Sequence, residues 1–482
     1  MPTFFYTSDD PERQVEGELV LRGDGYSAIL TVPLFPFEQI KPEPKGDLSI
    51  IHISGSPREV TADYLPRIVS FSDSEQGING LLLDAHAELH WKNPFSHPRQ
   101  RLTGYRWMIS KDGTLEESVT AEITLRLNVE RSIPGGDTLS TATVLNSKGE
   151  RQEIMITPSE NDAHLMEFKF NLPSSMDMDW WMTHVVRPVE SLLKISIIRP
   201  VSPVRIAMKI PSGTAQYFEA GFTETPTKRS HLLSPRDITT TLIGKWLEVA
   251  QQLGQVHYYV SSENINIQAD ALLFTSALEG IHRRLIEPGD NKLKLPRGVA
   301  RKLSRAIKNA VKEAYAGIDG VDPEEVAQDA APYASMVQEP NYGERVRYFT
   351  NHYYEAYPFL FGPDVTSWIK DVKSIRNKES HLFQIQDDNL KVNLESEYAA
   401  YLTYNYSLGL LLKIIMLEQA GIDRLTLQLR VAKSRFIGYQ LANLDTEKYW
   451  LEYSALEVYE RWKSCLEAEK PIESGSEVDS EE

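Results

Sequence analysis

The spacing of apolar residues changes along this chain, and that change constrains the fold more than any other feature of the sequence. From residue 17 to about residue 222 the apolar runs are short and often alternate with polar residues, as in YSAILTVPLF, LSIIHISG, INGLLLDAHAELHW, AEITLRLNVE, RQEIMITP and LMEFKFNLP. Alternation with a period of two is typical of β-strands that bury one face. Beyond Ser234 the apolar residues recur every three to four positions, which is the period of an α-helix. The sequence therefore predicts an α+β protein, with an N-terminal β-rich region of antiparallel strands followed by a C-terminal all-α bundle.

Turn-forming clusters separate the predicted strands, for example Asn146-Ser147-Lys148-Gly149. A helical stretch over residues 180–198, interrupted at Pro188, precedes two more strand-like runs, VRIAMKI and AQYFEAGFT. Further helices are predicted at 238–253, 270–285, 297–315, 342–357, 365–383, 397–420 and 446–466. Residues 398–417 are apolar on nearly every side, which indicates the centre of a bundle. We expect domains at 1–233 and 234–421, a helical extension at 422–472, and a disordered acidic tail at 473–482.

Composition limits the classes of function. The chain has 51 Lys and Arg against 68 Asp and Glu, a net charge of −17, which disfavours attachment of the whole protein to nucleic acid or an anionic membrane. Its single cysteine, Cys465, can form neither an internal disulfide nor a thiolate zinc site. The N-terminus lacks the pattern of a secretory signal. The most apolar stretch, 408–417, is about half the length of a membrane span and is interrupted by Lys413. We expect a cytoplasmic protein without a membrane partner.

The segment 364–383 carries the candidate catalytic residues. Asp364 is a plausible N-cap of this predicted helix. Its apolar stripe comprises Val365, Trp368, Ile369, Val372, Ile375, Leu382 and Phe383. Away from that stripe, Asn377 and His381 lie about 40° apart on the helical wheel, and Arg376 lies at the margin of the stripe. An imidazole, a guanidinium and an amide suit cleavage of an RNA phosphodiester, although such residues are also ordinary on a solvated helix face.

Three segments of the helical half, and the β-rich half as a whole, resemble parts of a known family. Arg376-Asn377-Lys378-Glu379-Ser380-His381 resembles the RN-x3-H motif of HEPN-family ribonucleases. LLFTSALEGIHRRL (272–285) and GERVRYF (343–349) resemble the opening and middle helices of the ApeA-type HEPN subfamily, and the β-rich half, including VVRPVESLLKISII (185–198), resembles the ApeA amino-terminal domain. The resemblance covers about residues 15–420. It implies a C-terminal HEPN bundle and a bacterial anti-phage endoribonuclease, dimeric through its HEPN domains, that halts growth of the infected cell.

Roles for individual residues follow from this resemblance and from the chemistry of RNA cleavage. His381 would move protons, Arg376 would hold the scissile phosphate, and Asn377 would orient either of them. The partners expected are an RNA substrate, for which tRNA is a candidate, and a second copy of the chain. A phage-derived protein that triggers the β-rich domain is a further candidate partner. We expect no cofactor and no metal, because no cluster of His, Cys and carboxylates in the helical half has metal-ligand spacing.

Other residues are candidates for supporting roles. Glu279 is placed to accept a hydrogen bond from Arg376 or Arg345, and His282 is a candidate for packing. Between Arg283 and Lys312 the chain carries ten Lys or Arg against two acids. The outward cations of the predicted helix 297–315 either bind RNA or form an ordinary solvated face, and the candidates for RNA binding are Arg301, Lys302 and Arg305. The tyrosine-rich run 352–357 either stacks unpaired bases or, more simply, packs in the core.

Two other classes of function stay open from the sequence. The bundle could bind RNA or a partner protein without turnover, or it could be a purely structural partner in a larger complex. The sequence has no P-loop, GxGxxG, HExxH, GxSxG or paired CxxC motif, so nucleotide hydrolysis, zinc proteolysis and esterase chemistry have no support.

Overall fold

The structure of the chain is a computed structural model, and it describes residues 3–22, 25–35, 67–90, 99–111, 115, 119–130, 139–158, 165–196, 201–211, 213–222, 232–262, 266–286, 297–330, 340–380, 394–446 and 453–468. The chain forms two compact units. The first comprises Met1–Glu190, Arg199–Lys228 and Pro235–Leu247, and the second comprises Ser191–Ile198, Arg229–Ser234 and Glu248–Glu482. The boundary expected at 233/234 is therefore only approximate. Ser191–Ile198 precedes it in the chain but belongs to the second unit, and Pro235–Leu247 follows it but belongs to the first unit.

The first unit is built on a large antiparallel sheet. Its described strands are β1 (Thr3–Thr7), β2 (Asp10–Arg22), β3 (Gly25–Leu30), β4 (Arg67–Asp73), β5 (Ile78–His90), β6 (Arg99–Gly104), β7 (Arg106–Ser110), β8 (Val119–Glu130), β9 (Ser140–Leu145), β10 (Arg151–Pro158), β11 (Leu165–Asp177), β12 (Pro203–Ile210) and β13 (Gly213–Glu219). Their order in the sheet is β4-β1-β2-β3-β6-β5-β7-β13-β12-β8-β11-β10-β9, and β4 also pairs with β5. That extra pairing closes the first six strands of this order into a barrel, which leaves those strands no free edge.

Alternation of side chains builds the core of the barrel. In β3, Tyr26, Ala28 and Leu30 are buried, while the residues between them are half-buried. Gly80 of β5 lies so close to the neighbouring strand that a Cβ atom would sit 2.2 Å from the ring of Phe71. Only glycine fits there, because that separation is far below van der Waals contact.

The predicted β-rich region is confirmed, with one difference at its start. The strands begin at Thr3 and not near residue 17, because Phe5 of β1 is buried between β2 and β4. The predicted run LSIIHISG (48–55) lies outside the described residues.

A continuous helical segment follows β11, where an interruption at Pro188 was expected. It consists of α1 (Met178–Trp181), a π-helical turn (Met182–Val186) and α2 (Arg187–Ser196). Pro188 has no N–H and its ring would crowd the carbonyl one turn earlier. The wider π-helical turn directly before the proline relieves that crowding, so the helical path continues.

Helices follow along the rest of the described chain, as the change of period predicts. They are α3 (Thr240–Leu253), α4 (Val256–Ser261), α5 (Ile267–Ile281), α6 (Arg297–Tyr315), α7 (Pro323–Ala330), α8 (Tyr342–Tyr353), α9 (Val365–Ser380), α10 (Leu394–Gln419), α11 (Arg424–Lys433), α12 (Arg435–Thr446) and α13 (Ala455–Ala468). The coarse prediction of an antiparallel β region followed by a helical region is therefore confirmed.

The C-terminal helices differ from the prediction. A single helix at 446–466 was expected, but α12 ends at Thr446 and α13 begins at Ala455. The additional helix α11 begins after Asp423, whose side chain accepts a hydrogen bond from the backbone of Thr426 at 2.9 Å. The expected tail at 473–482 lies outside the described residues.

Helix α10 lies where a helix at 397–420 was predicted, but its apolar stretch is longer than the ten-residue run 408–417. Its stretch Ala400–Gln419 has the length and composition of a membrane-spanning helix, but 72% of that stretch is buried within the protein. The core helix of a soluble protein has the same properties, and the burial agrees with the expected position at the centre of a bundle.

Candidate functional site

Helix α9 positions the candidate residues. The side chain of Asp364 accepts hydrogen bonds from the backbone of Thr366 at 3.1 Å and Ser367 at 2.8 Å, so the predicted N-cap is confirmed. A hydrogen bond from the Ser367 side chain, together with these two backbone bonds, lowers the pKa of Asp364. Of the predicted apolar stripe, three residues are buried and two are half-buried, while Leu382 and Phe383 lie outside the described residues. The buried members are Trp368, Val372 and Ile375, and the half-buried members are Val365 and Ile369.

Side-chain hydrogen bonds attach α9 to α10. The indole of Trp368 donates to the hydroxyl of Ser407 at 2.9 Å, and the hydroxyl of Tyr404 donates to Asp371 at 2.6 Å. Helix α9 also packs against α5 and α8, and α5 packs against α8. The three segments that resemble HEPN helices are therefore in mutual contact.

Glu279 of α5 joins these three helices through arginine side chains. Its Oε1 atom accepts from Arg345 of α8 at 2.6 Å and from Arg283 at 3.1 Å. Its Oε2 atom accepts from Arg376 of α9 at 3.4 Å, which is a long hydrogen bond. Both contacts that the sequence suggested for Glu279, with Arg345 and with Arg376, are present. We call these four side chains the arginine cluster.

Burial separates the arginines of this cluster. The side chain of Arg345 is 1% exposed, whereas those of Arg376 and Arg283 are 34% and 50% exposed. Arg345 is thus held inside the protein by a short bond, and Arg376 is held more loosely at the surface. The four side chains together carry a formal charge of +2, which favours an anion at the exposed arginines.

Tyr342 at the start of α8 supports Arg376. The guanidinium carbon of Arg376 lies 5.4 Å from the centre of the Tyr342 ring, a cation–π geometry. Burial raises the pKa of the Tyr342 hydroxyl, so it stays protonated. A capping box between Asn341 and Glu344 fixes the first turn of α8, with bonds of 3.0 and 2.8 Å.

The other two candidate catalytic residues have different outcomes. Asn377 is exposed on α9, as the helical wheel predicts. His381 lies directly after the end of α9, outside the described residues. The proposed convergence of Arg376, Asn377 and His381 therefore stays a prediction.

His282 packs, as expected, against aromatic rings of α8. Its buried ring lies edge-on to Tyr348 at 5.0 Å and to Phe349 at 5.7 Å. Tyr348 is exposed and stacks in turn on His352, with 6.1 Å between ring centres and 9° between ring planes.

Half of the residues in the tyrosine-rich run 352–357 lie in the core. Tyr353 and Tyr357 are buried, and the hydroxyl of Tyr353 donates to Glu418 at 2.7 Å. The packing interpretation is thus confirmed for these two residues, while His352 and Tyr354 are exposed.

The basic helix α6 packs against α7, and its candidate RNA-binding residues Arg301, Lys302 and Arg305 are exposed. Lys312 is ion-paired with Glu324 of α7. Arg284, which belongs to the same basic run, instead donates to the backbone carbonyl of Leu253 at 2.9 Å. Among the described residues of this run, the exposed cations are Arg283 and Arg284 as well as Arg301, Lys302 and Arg305 of α6.

Tyr342 and Tyr348 are the site residues that sequence reasoning missed. Each contact joins residues far apart in the chain, Tyr342 to Arg376 and Tyr348 to His282. Helical periodicity reports only neighbours within a few turns, so it carried no signal for these pairs.

Metal ligation and similarity to known proteins give no further assignment. Within the described residues, no group of three or more His, Cys, Asp and Glu could hold a metal ion. Comparison of the chain with protein-family models, curated proteins and solved structures finds no match.

Proposed function

We propose that this protein is a metal-independent endoribonuclease of the HEPN type. The observation that carries the proposal is the arginine cluster: the three segments that resemble HEPN helices pack together, and Arg376 of the RN-x3-H string stands at their exposed side. Arg376 is held in place by Glu279 and by the Tyr342 ring, yet its bond to Glu279 is long enough for a phosphate oxygen to replace the carboxylate.

The proposed reaction is an internal transfer. The 2′-hydroxyl oxygen of the RNA forms a bond to phosphorus, and the bond between phosphorus and the 5′-oxygen breaks. One group takes the 2′-proton and another gives a proton to the leaving 5′-oxygen, and His381 is the proposed acid/base. Arg376 stabilises the additional negative charge of the transition state, and Asn377 orients His381 or the phosphate. The products are a 2′,3′-cyclic phosphate and a 5′-hydroxyl.

Two proton transfers favour a composite site. The exposed position of Asn377 supports a site that faces away from the core of its own chain. A second copy related by two-fold symmetry would supply another Arg376 and His381 across one cleft. The proposed assembly is therefore a homodimer through the HEPN bundles.

The biological role proposed is anti-phage defence in the cytoplasm. In this role the β-rich domain responds to a phage-derived component, and cleavage of cellular RNA, with tRNA as a candidate substrate, arrests growth of the infected cell. The exposed cations of α6 support substrate binding, since a phosphate backbone binds such a face electrostatically.

The deciding experiment is incubation of the purified full-length protein with total RNA, followed by end-group analysis of the fragments. We expect fragments with cyclic-phosphate ends, and we expect cleavage to continue in EDTA. Arg376→Ala and His381→Ala should each abolish this cleavage. Lys373→Ala is the matched control, because Lys373 is an exposed cation on the same helix α9.

Particular outcomes would refute the proposal. Full activity of Arg376→Ala or His381→Ala would remove these residues from the mechanism. Cleavage that is lost in EDTA and restored by a divalent ion would require a metal mechanism. RNA binding by the wild type without cleavage would favour a non-catalytic binding module.

A further inference from the structure

Tyr348 presents an aromatic ring at the surface in a fixed orientation. Its side chain is on α8, and the residue is 40% exposed. Three neighbouring rings hold it: His282 and Phe349 meet it nearly at right angles, and His352 lies parallel to it. A ring held on several sides loses little further freedom when a ligand stacks on it.

This ring lies next to the arginine cluster. Helical segments 279–282 and 345–348 meet at two successive points, the ion pair of Glu279 with Arg345 and the ring contact of His282 with Tyr348. Each step is three residues, so the two contacts are separated by about 4.5 Å along the helices. The Glu279 carboxylate, which also accepts from the more exposed Arg283 and Arg376, therefore lies about one helical step from the contact that holds the Tyr348 ring.

The pairing of these groups suits an unpaired nucleotide. A base offers a flat π-face to an aromatic ring, and its phosphate is attracted to guanidinium groups. In duplex RNA the faces of the bases are covered by their stacked neighbours, so such a ring has no access to them. The ligand chemistry is therefore that of single-stranded RNA.

We propose that Tyr348, backed by His352, is a stacking platform for one unpaired base of single-stranded RNA whose phosphate lies on the arginine cluster. This inference rests on the proposed ribonuclease function and deepens it, because it names the form of RNA that the site accepts. Tyr348 is a binding residue here, and the bond-breaking chemistry belongs to other side chains.

The test is equilibrium binding that needs no cleavage. A fluorescein-labelled single-stranded oligonucleotide with 2′-O-methyl groups cannot be cleaved by internal transfer, and its anisotropy reports affinity for the full-length protein. We expect Tyr348→Ala to weaken binding roughly five- to a hundredfold, the range for loss of one base–aromatic stack. Tyr348→Phe keeps the ring and should bind like the wild type.

Two controls make the test specific. Tyr439→Ala removes a tyrosine on α12 that is 64% exposed, and it should leave the affinity unchanged. A labelled RNA duplex should bind wild type and Tyr348→Ala equally. Circular dichroism and thermal unfolding of each variant, compared with the wild type, establish that the fold is retained.

The outcomes separate this inference from the proposed function. If the wild type cleaves RNA while Tyr348→Ala binds the single strand with unchanged affinity, the platform is refuted and the ribonuclease stands. Equal losses in Tyr348→Phe and Tyr348→Ala would also refute stacking. If the wild type binds through Tyr348 but never cleaves, the ribonuclease is refuted and the platform stands. Absence of binding to any single strand would refute the platform, while cleavage of total RNA would still decide the ribonuclease.

Discussion

Replacing Glu279 with glutamine tests whether the arginine cluster holds the helical unit together. The change keeps the size of the side chain and removes its charge. Arg345, which is 1% exposed, then keeps its buried charge without the carboxylate 2.6 Å away. Two unit charges about 4 Å apart interact by about 4 kcal/mol at an effective dielectric constant of about 20. Since glutamine retains a hydrogen-bond acceptor, we expect the free energy of unfolding to fall by about 3 kcal/mol.

Urea unfolding followed by far-ultraviolet circular dichroism measures this loss. The double variant Glu279→Gln/Arg345→Met should lose less than the sum of the single variants, by at least about 1.5 kcal/mol, because the two side chains interact directly. Glu460→Gln is the control, since its ion pair with Lys463 at 3.6 Å is exposed and contributes less than about 1 kcal/mol. A loss below about 1 kcal/mol in Glu279→Gln, or strict additivity in the double variant, would show that the cluster does not stabilise the bundle.

Three further predictions concern pH, RNA binding and assembly. Burial lowers the pKa of His257 to about 4, so the stability from its neutral form is complete above pH ~6.5 and is lost towards pH 4, by about 3 kcal/mol. Its Nδ1 atom lies 2.8 Å from the Ser191 hydroxyl. His257→Asn keeps a hydrogen-bonding group there, so thermal melts between these pH values should show a melting temperature that depends less on pH than that of the wild type. An unchanged pH dependence would show that another group causes it. Reversing the charges of Arg301, Lys302 and Arg305 on α6 should weaken RNA binding and reduce the salt dependence of the affinity. An unchanged affinity and salt slope would show that these residues form an ordinary solvated face. Light scattering should report about twice the 54.8 kDa chain mass, and mixing in His381→Ala chains should depress activity beyond dilution; a fully active monomer would contradict the composite site.

Features set by neighbouring residues were predictable from the sequence. The cap at Asp364 and the buried stripe through Trp368 and Val372 were predicted correctly, because a cap and a helical face depend on residues within a few turns. The start of the β region was predicted wrongly. Strand β1 depends on pairing with β2 and β4, and β4 lies some sixty residues further along the chain, so the local sequence around Phe5 could not reveal it.

Contacts at the candidate site were only partly predictable. The sequence analysis suggested Glu279 as a partner of Arg345 or Arg376, and both bonds are present. Tyr342 and Tyr348 were not singled out, because the contacts that orient Arg376 and the exposed ring cross between separate helices. The order of helices along the chain does not specify which side chains meet between them.

The sequence alone determined that strands precede helices and which face of α9 is apolar, since the periods of two and 3.6 follow from backbone geometry. It placed Arg376 at the margin of that apolar face. Only the tertiary structure decided that Arg345 is buried at the centre of the cluster while Arg376 stays at the surface, at 1% and 34% exposure. In the sequence both are arginines on amphipathic helices. Their difference in burial comes from the packing of α5, α8 and α9, because the solvent around a charged side chain is removed by residues distant in sequence.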